Sequence, residues 1–357
     1  MLAIRTVFAL AAASLLAAAA EPTVLWSVDV KGDQAETPVV ADGSVYAVAR
    51  MTPPPDGGSE GWLFAIDASS GKTRWTASLK SPRVSAVVDA GVVCVLEGDV
   101  LIGGDSTQIR AFDAVSGKDL WSAPSAGPKG TYFTPTPPAA GGGRVYFARG
   151  RSAVALDIRT GKEVWIQETP GRPTQFLPVG DRVWVGVVDD QSKGDRDPSR
   201  TLALNATTGK EDLRRDGAWR TSAGCGIVVL EGNGTMEALD PATLKSKWTT
   251  KAKARRELAL EDGLVEFIGE DDKVHGLEVA TGKETRTTAV VGQLGGGRVV
   301  WVNDRGEAIA RAAHDGSDLW TWQAPASPMT AFTLKSPTLC VVCSDRRVYA
   351  LREPGAK

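Results

Sequence analysis

The sequence predicts an all-β protein built from eight copies of one four-stranded unit. One motif recurs about every 40 residues along the chain. Short alternations of apolar and polar residues, typical of half-buried strands, surround each copy. The chain also carries 39 Gly, 20 Pro and 11 Trp, which suits many tight turns and many large buried side chains. A content of 42% hydrophobic and 24% charged residues is ordinary for a globular protein and argues against a multi-span membrane protein.

The first twenty residues, MLAIRTVFALAAASLLAAAA, are typical of an export signal, because Arg5 precedes an apolar run that ends in small residues. The apolar part is shorter than the ~20 residues that a membrane-spanning helix needs. No cysteine lies near the expected cleavage point, so we expect no lipid anchor. We therefore expect residues 1–20 to be a signal peptide and residues 21–357 to form one exported domain, periplasmic or extracellular and soluble after cleavage.

The repeated motif consists of an apolar alternation, an Asp, three residues, Gly-Lys and then Trp. Its clearest copies are LFAIDASSGKTRW (63–75), IRAFDAVSGKDLW (109–121) and VALDIRTGKEVW (154–165). The Asp can accept hydrogen bonds from the following backbone N–H groups, and the glycine supplies a positive φ, so each copy predicts a strand, a turn and a strand. The motif glycines are Gly71, Gly117, Gly161, Gly209, Gly282 and Gly316. Leu244 replaces glycine in the fifth copy, which predicts a different type of turn there.

A Trp follows the turn in most copies and is interpreted as a structural anchor packed between neighbouring units. One buried indole ring removes roughly 150–250 Å² from water. The anchors are Trp75, Trp121, Trp165, Trp248 and Trp320. Leu213 and Arg286 stand at this position in two copies, and Trp26, in the first strand of the mature chain, supplies the anchor missing from the last copy.

A second hairpin precedes each motif, as in TPVVADGSVYAVA (37–49) and SAVVDAGVVCVLE (85–97). Each unit therefore holds four strands, and four-stranded units repeated along a chain predict a β-propeller. We expect eight antiparallel blades. The N-terminal strand around Trp26 is expected to complete the last blade, which closes the ring and removes the open edge between the first and last blades.

The run Asp-x-x-x-Gly-Lys-x-x-Trp, repeated in register over residues 24–352, resembles the PQQ-like repeat of eight-bladed quinoprotein-type propellers. This resemblance implies two classes of function: quinone-dependent dehydrogenases, and cofactor-free scaffolds similar to BamB, the propeller component of the outer-membrane β-barrel assembly machinery. The dehydrogenases hold pyrroloquinoline quinone (PQQ) with calcium on the propeller axis, beneath a disulfide between adjacent cysteines. In this shorter chain no two cysteines are adjacent, so we expect no cofactor, and PQQ with calcium only if the protein is a dehydrogenase.

Other candidates for chemistry are few. His275 and His314, the only histidines, lie at or beside repeat hairpins and are interpreted as solvated turn residues, so no catalytic residue is expected. Cys340 and Cys343 lie in the segment TLCVVCS, which is predicted to be a strand. Residues three apart in a strand point to opposite faces, and their Cα atoms are about 10 Å apart. We expect buried free thiols there, although pairing with Cys94 stays open.

The segment DDQSKGDRDPS (189–199) is rich in carboxylates and raises the alternative of a calcium site. Calcium needs about 6–8 converging oxygen ligands. The acidic residues of this segment are interspersed with Lys193 and Arg196. A solvated insertion is therefore the favoured interpretation, and no metal is expected.

Strand parity places four long segments on one face of the predicted ring. They are residues 51–60, 98–107, 122–133 and 189–199, all from the first four blades. We call this the loop face, and the opposite face, which carries the Gly-Lys turns, the turn face. Because loops on a rigid scaffold commonly carry function, the loop face is the candidate binding surface.

Charged residues near the start of the innermost strands form a candidate rim on the loop face. They are Glu36, Arg83, Arg172, Arg220, Arg256 and Glu257. Arginines around the channel mouth could grip carboxylates or peptide backbone. The alternative is that these charges only solvate exposed strand ends.

The sequence therefore predicts a non-catalytic scaffold that binds a protein or peptide, with a role in outer-membrane or envelope assembly, and that is a monomer. A formal net charge of −2 lacks the basic excess that nucleic-acid binding demands. Two alternatives remain open: a PQQ-dependent oxidoreductase, and a propeller that binds carbohydrate or another small ligand.

Overall fold

The computed structural model describes residues 21–52, 60–80, 82, 86–98, 107–125, 136–188, 200–217, 220–255, 258–288, 293–302, 306–326, 328–333 and 338–354. These residues contain strands and turns but no helix. The strands form eight antiparallel sheets, one after another along the chain. The predicted all-β, eight-bladed β-propeller is therefore confirmed.

The first strand, β1 (Thr23–Asp29), precedes blade 1. Blade 1 contains β2 (Gln34–Ala35), β3 (Val39–Ala41), β4 (Ser44–Arg50), β5 (Glu60–Asp67) and β6 (Thr73–Lys80). Blade 2 contains β7 (Val87–Asp89), β8 (Val92–Glu97), β9 (Gln108–Asp113) and β10 (Asp119–Pro124). Blade 3 contains β11 (Ala139–Gly141), β12 (Arg144–Arg149), β13 (Ser152–Asp157) and β14 (Glu163–Glu168). Blade 4 contains β15 (Arg172–Val179), β16 (Arg182–Val188), β17 (Arg200–Asn205) and β18 (Glu211–Asp216).

The second half of the ring follows the same plan. Blade 5 contains β19 (Arg220–Gly224), β20 (Ile227–Gly232), β21 (Thr235–Leu239) and β22 (Ser246–Lys251). Blade 6 contains β23 (Ala259–Glu261), β24 (Leu264–Ile268), β25 (Val274–Glu278) and β26 (Glu284–Thr288). Blade 7 contains β27 (Gln293–Gly295), β28 (Arg298–Val302), β29 (Glu307–Ala312) and β30 (Asp318–Gln323). Blade 8 contains β31 (Pro328–Thr333), β32 (Thr338–Cys343) and β33 (Arg347–Arg352).

Each blade runs from the centre of the ring outward. The first strands of successive blades contact one another, as β7 contacts β11 and β11 contacts β15, so these strands surround the axis. The second and third strands carry most of the buried residues, whereas outer strands such as β10 alternate between exposed and partly buried positions. The core therefore lies between blades, in the middle of each sheet.

Strand β1 closes the ring. It pairs with β33 in antiparallel register, with Trp26 opposite Ala350 and Ser27 opposite Tyr349, and completes blade 8. The Arg347 guanidinium reinforces the join by donating to the carbonyl oxygen of Ser27 at 3.0 Å and to its hydroxyl at 2.9 Å. The predicted closure by the N-terminal strand is thus confirmed.

The motif Asp organises the turn between the third and fourth strands. In blade 1, Asp67 Oδ1 accepts N–H hydrogen bonds from Ser69 at 3.1 Å and Ser70 at 2.8 Å. Arg74 donates to the other carboxylate oxygen, and these bonds hold the pKa of Asp67 far below its usual range. Gly71, at φ +70°, returns its N–H to the Asp67 carbonyl oxygen at 2.9 Å. The carboxylate therefore accepts hydrogen bonds from backbone N–H groups of the turn that would otherwise bond only to water.

The motif Trp of one blade packs on the motif turn of the next. The Trp75 indole nitrogen donates to the carbonyl oxygen of Ala114 at 3.1 Å, and a Cβ added to Gly117 would lie 2.5 Å from the Trp75 ring. The same indole-to-carbonyl bond joins Trp26 to Ala68, Trp121 to Ile158, Trp165 to Ala206 and Trp248 to Val279. Each such ring thus lies between two adjacent blades.

The turn at Leu244 corrects one prediction. Leu244 adopts φ +59° and donates its N–H to the Asp240 carbonyl oxygen at 2.8 Å, as the glycine does in the other turns. The predicted change of turn type was therefore wrong. Leu213 replaces the motif Trp in the preceding blade, and both leucines pack against the cluster that contains Trp184 and Leu239. Because Leu213 is smaller than Trp, it leaves room for the Leu244 side chain on the facing turn. A Trp at position 213 would require glycine at position 244.

Candidate functional site

The strand order places the ends of all four long segments on the loop face. Residues 51–60 join β4 to β5, 98–107 join β8 to β9, and 189–199 join β16 to β17, while 122–133 lead from blade 2 to blade 3. Most of these residues, including the acidic segment 189–199, lie outside the described part of the chain. The described part of the loop face consists of the residues that hold the bases of these segments.

Three of the six rim residues are described. Glu36, Arg172 and Arg220 are all partly buried, and Arg172 and Arg220 begin the innermost strands β15 and β19. Arg83, Arg256 and Glu257 lie outside the described residues.

Arg220 joins two blades. Its guanidinium donates to the carbonyl oxygen of Ala254, at the start of blade 6, at 2.9 Å. It also lies 3.7 Å from the carboxylate of Glu231, which is 5% exposed and accepts the Ala254 N–H at 3.4 Å. These contacts support a role for Arg220 in holding the connection between blades 5 and 6.

Glu36 lies between the first two strands of blade 1. Its backbone N–H donates to the carbonyl oxygen of Val48 at 2.9 Å. Burial raises the pKa of its carboxyl group, and the positive charge of Arg50 acts in the opposite direction. The carboxyl group of Glu36 is therefore easier to protonate than an exposed one.

Glu97 is a buried carboxylate that the sequence reasoning missed. It ends the apolar strand VVCVLE and is 3% exposed. One carboxylate oxygen accepts the backbone N–H of Lys80 at 3.0 Å, and the other accepts the Gln108 side-chain amide at 2.8 Å. Lys80 precedes the connection to blade 2 and Gln108 follows the segment 98–107, so one side chain holds the bases of two loop-face connections. A charged residue that ends an apolar strand was the available signal.

A groove of ≈ 470 Å³ lies beside Glu97, along the outer strands of blades 1 and 2. It is lined by Lys80, Glu97, Gln108, Arg110, Asp119, Leu120, Trp121 and Ser122. Arg110 donates to both carboxylate oxygens of Asp119, at 2.7 and 2.8 Å, and to the Ser78 carbonyl oxygen at 2.8 Å. The charges of this groove therefore neutralise one another and tie blade 2 to blade 1.

Polar side chains link the inner strands of blades 3, 4 and 5. The Thr136 hydroxyl donates to the Pro173 carbonyl oxygen at 2.8 Å, and the Gln175 amide donates to the Thr221 carbonyl oxygen at 3.0 Å. These bonds join consecutive blades near the axis. They hold adjacent blades together beneath this part of the loop face.

The histidines differ from one another. His314 is exposed, as expected, with 62% of its side chain accessible. His275 lies in β25, stacks on Phe267 with ring centroids 5.1 Å apart, and bonds through its two ring nitrogens to Asp271 at 2.8 Å and Glu284 at 2.7 Å. The interpretation of His275 as a solvated turn residue was therefore wrong, because strand pairing brings both carboxylates to its ring.

The four cysteines are free thiols, and Cys94, Cys340 and Cys343 are buried. The expectation of buried free thiols at Cys340 and Cys343 is confirmed, and neither forms a disulfide with Cys94. Burial raises the pKa of Cys343 to about 12, which keeps this thiol protonated and unreactive.

Among the described residues, no three His, Cys, Asp or Glu side chains converge in a way that could hold a metal ion. The buried carboxylates of Glu97 and Glu231 accept backbone and side-chain hydrogen bonds from their own chain. No helix within the described ranges is long and apolar enough to span a membrane.

Comparisons with known proteins agree with this architecture. A sequence model of the family described as outer membrane protein assembly factor BamB matches residues 11–183. A search of curated proteins found no significant match to the sequence.

Solved structures share the fold at low sequence identity. BamB from Moraxella catarrhalis is 15% identical with a TM-score of 0.68, and the match covers 95% of this chain and 99% of that one. A quinohemoprotein alcohol dehydrogenase from Pseudomonas putida HK5 is 15% identical with a TM-score of 0.62, over 94% of this chain and 77% of that one. A europium-containing methanol dehydrogenase is 13% identical with a TM-score of 0.60, over 90% and 84%. Eight closed blades, the in-register motif and these likenesses support the predicted PQQ-like repeat β-propeller.

Proposed function

We propose that the protein is an exported, non-catalytic scaffold that binds a protein or peptide partner through its loop face. One observation carries the proposal: the long segments of the first four blades all leave the ring on one face, and buried residues such as Glu97 hold their bases. A rigid ring that presents loops on one side is suited to recognition. The match to the BamB family description supports a partner in outer-membrane or envelope assembly.

Two observations support a non-catalytic role over a quinone-dependent one. The described residues bring no set of metal-ligating side chains together. The two histidines also differ from a catalytic arrangement, since His275 is bonded on both sides to carboxylates and His314 is exposed. A general base needs a free nitrogen within reach of its substrate, and both nitrogens of His275 are already bonded.

Site-specific photo-crosslinking in the native host tests the location of the partner site. A photoreactive residue at Thr52, at the base of the segment 51–60, should crosslink to a discrete protein. The matched probe at Lys118, in a motif turn on the turn face, should not. Crosslinking from position 118 alone, or equally from both positions, would contradict the assignment of the loop face.

Reconstitution tests the proposed absence of catalysis. The purified protein is mixed with PQQ and calcium, and both the quinone absorbance and dye-linked oxidation of alcohols are followed. We expect no change in absorbance and no turnover. Turnover above that of the quinone and calcium alone would show that the protein is a dehydrogenase.

A further inference from the structure

The eight blades share one row of three paired residues across their second, third and fourth strands. In blade 1 this row is Tyr46, Ala65 and Trp75. The third-strand residue is Ala in seven blades: Ala65, Ala111, Ala155, Ala203, Ala238, Ala310 and Ala350. Blade 6 alone departs at all three positions, with Glu266, Gly276 and Arg286.

The three residues of blade 6 form one unit. The Arg286 guanidinium makes an ion pair with Glu266, whose side chain is 1% exposed. The Arg286 side chain reaches it by crossing Gly276: a Cβ at position 276 would lie 2.9 Å from Arg286 Cγ and 3.0 Å from Nε. Arginine at 286 therefore requires glycine at 276, and the buried Glu266 requires the arginine.

This unit replaces a bond between blades by a bond within one blade. At five of the other motif positions the indole packs on the next blade and donates to a carbonyl oxygen of its turn. Arg286 instead turns toward Glu266 of its own sheet. Its Nε has no hydrogen-bond partner among the described residues, and burial lowers the pKa of its guanidinium. Desolvation of a buried ion pair offsets much of its attraction.

Among the described residues, a small apolar cluster and a few polar contacts join blades 6 and 7. Their shared apolar cluster contains Ile268, Val274, Val299 and Ala313 as its buried members. The polar contacts between them include the Gly297 N–H to the Glu261 carboxylate at 3.2 Å and the Thr288 hydroxyl to the His314 carbonyl oxygen at 3.4 Å. The Thr288 bond is long and adds little to the interface, whereas the Gly297 bond lies at the upper end of the normal range.

The other boundaries that lack the usual indole-to-carbonyl bond have substitutes. Between blades 4 and 5, Arg182 donates to the Pro241 carbonyl oxygen at 3.0 Å, and Arg215 pairs with Glu237 at 3.2 Å. Between blades 7 and 8, Trp320 and Arg298 both bond to the Glu353 carboxylate, at 2.8 and 3.0 Å. Each substitute bridges two blades, which the Glu266–Arg286 pair does not.

We infer that the boundary between blades 6 and 7 is a built-in opening line, at which the ring separates before it does so at any other boundary. In an eight-bladed ring this line lies opposite the boundary between blades 2 and 3. Those two blades belong to the half of the ring that carries the loop-face segments. Opening there changes the width of the ring while the contacts among blades 1 to 4 stay intact. The inference stands on the packing of blade 6 and is independent of the proposed partner.

Hydrogen–deuterium exchange of the intact protein tests the inference. Amides of β26, in blade 6, should exchange about tenfold faster than those of β22, the corresponding strand of blade 5, which carries Trp248. Exchange in β26 that is no faster than in β22 would overturn the inference.

A restored variant provides the matched comparison. Glu266→Val, Gly276→Ala and Arg286→Trp together copy the row Val229, Ala238 and Trp248 of blade 5. This variant should slow exchange in β26 and β28 about tenfold and leave β22 unchanged. A folded variant with unchanged exchange in β26 would overturn the inference.

A conservative variant covers the case in which the triple variant does not fold. Glu266→Gln keeps the side-chain shape and leaves Arg286 without its counter-charge, so exchange in β26 and β28 should rise about tenfold while β22 stays the same. An equal rise in every blade would show that the pair stabilises the whole ring, which would overturn the assignment of an opening line.

Discussion

The indole nitrogen of Trp165 donates a hydrogen bond of 2.8 Å to the carbonyl oxygen of Ala206, which belongs to the next blade. The ring is 7% exposed and lies 6.0 Å from the ring of Tyr146. This contact joins two sheets that a short linker, residues 169–171, connects along the chain. The stability of the ring therefore depends on residues that repeat once per blade.

Trp165→Ala should lower the free energy of unfolding by ~3–5 kcal/mol, because it removes a buried ring and leaves a cavity between blades 3 and 4. Thermal and chemical unfolding measure the loss. Ile166→Ala is the matched control, since the neighbouring Ile166 is 49% exposed and should cost far less. Equal losses in the two variants would contradict the role of Trp165 as an inter-blade anchor.

Gly209→Ala should destabilise the protein more than Gly180→Ala. Both glycines have positive φ, +71° and +60°, which costs an Ala residue roughly 1–2 kcal/mol. A Cβ at 209 would also lie 2.8 Å from the Trp165 ring, whereas nothing lies within 4 Å of one at 180. Chemical denaturation of both variants isolates the steric part. Similar losses would show that the Trp165 ring can move away at little cost.

Leu213 and Leu244 should be energetically coupled, because both pack against the cluster around Trp184 where other boundaries pair a Trp with a glycine. Leu213→Trp alone should clash with Leu244, and Leu244→Gly in the same chain should relieve part of that loss. A double-mutant cycle should give a coupling energy of ~1–3 kcal/mol. Additive losses would mean that the two side chains do not share the same space.

His275 should stabilise the fold at acidic and neutral pH and less in alkali. Burial disfavours its charged form, but the bonds to Asp271 and Glu284 outweigh this effect, and the pKa of His275 is raised. Stabilisation from a raised pKa is fully present below the unfolded value of about 6.5 and is lost as pH rises through the folded value. The same bonds lower the pKa values of Asp271 and Glu284, so their contribution is lost as pH falls.

The difference in Tm between the wild type and His275→Gln should therefore be largest near pH 6 and should shrink toward about pH 9. His314→Gln, at an exposed position, is the control and should change Tm little at any pH. A difference for His275→Gln that is constant across this range would exclude a charged imidazole between the two carboxylates.

The sequence predicted the fold more successfully than it predicted the contacts of the candidate binding residues. Parity placed the long segments on one face, because strand direction alternates in any antiparallel sheet. It could not show that Arg220 bonds to Ala254 or that Glu97 holds Lys80 and Gln108. Those contacts join residues from different strands and blades, whose approach depends on the relative placement of whole sheets.

The sequence by itself determined the number of blades, the motif turns and the closing strand, because alternation, turn chemistry and the recurring Trp all act within one short repeat. Only the tertiary structure decided what replaces the Trp where it is missing: apolar filling by Leu213 and Leu244 in one place, and the Glu266–Arg286 pair across Gly276 in another. The physical reason is that the absence of the motif Trp side chain leaves a space. That space is lined by residues of two adjacent blades, or by residues of three strands of one blade. What fills that space depends on side chains that are distant in sequence and meet only when the sheets pack.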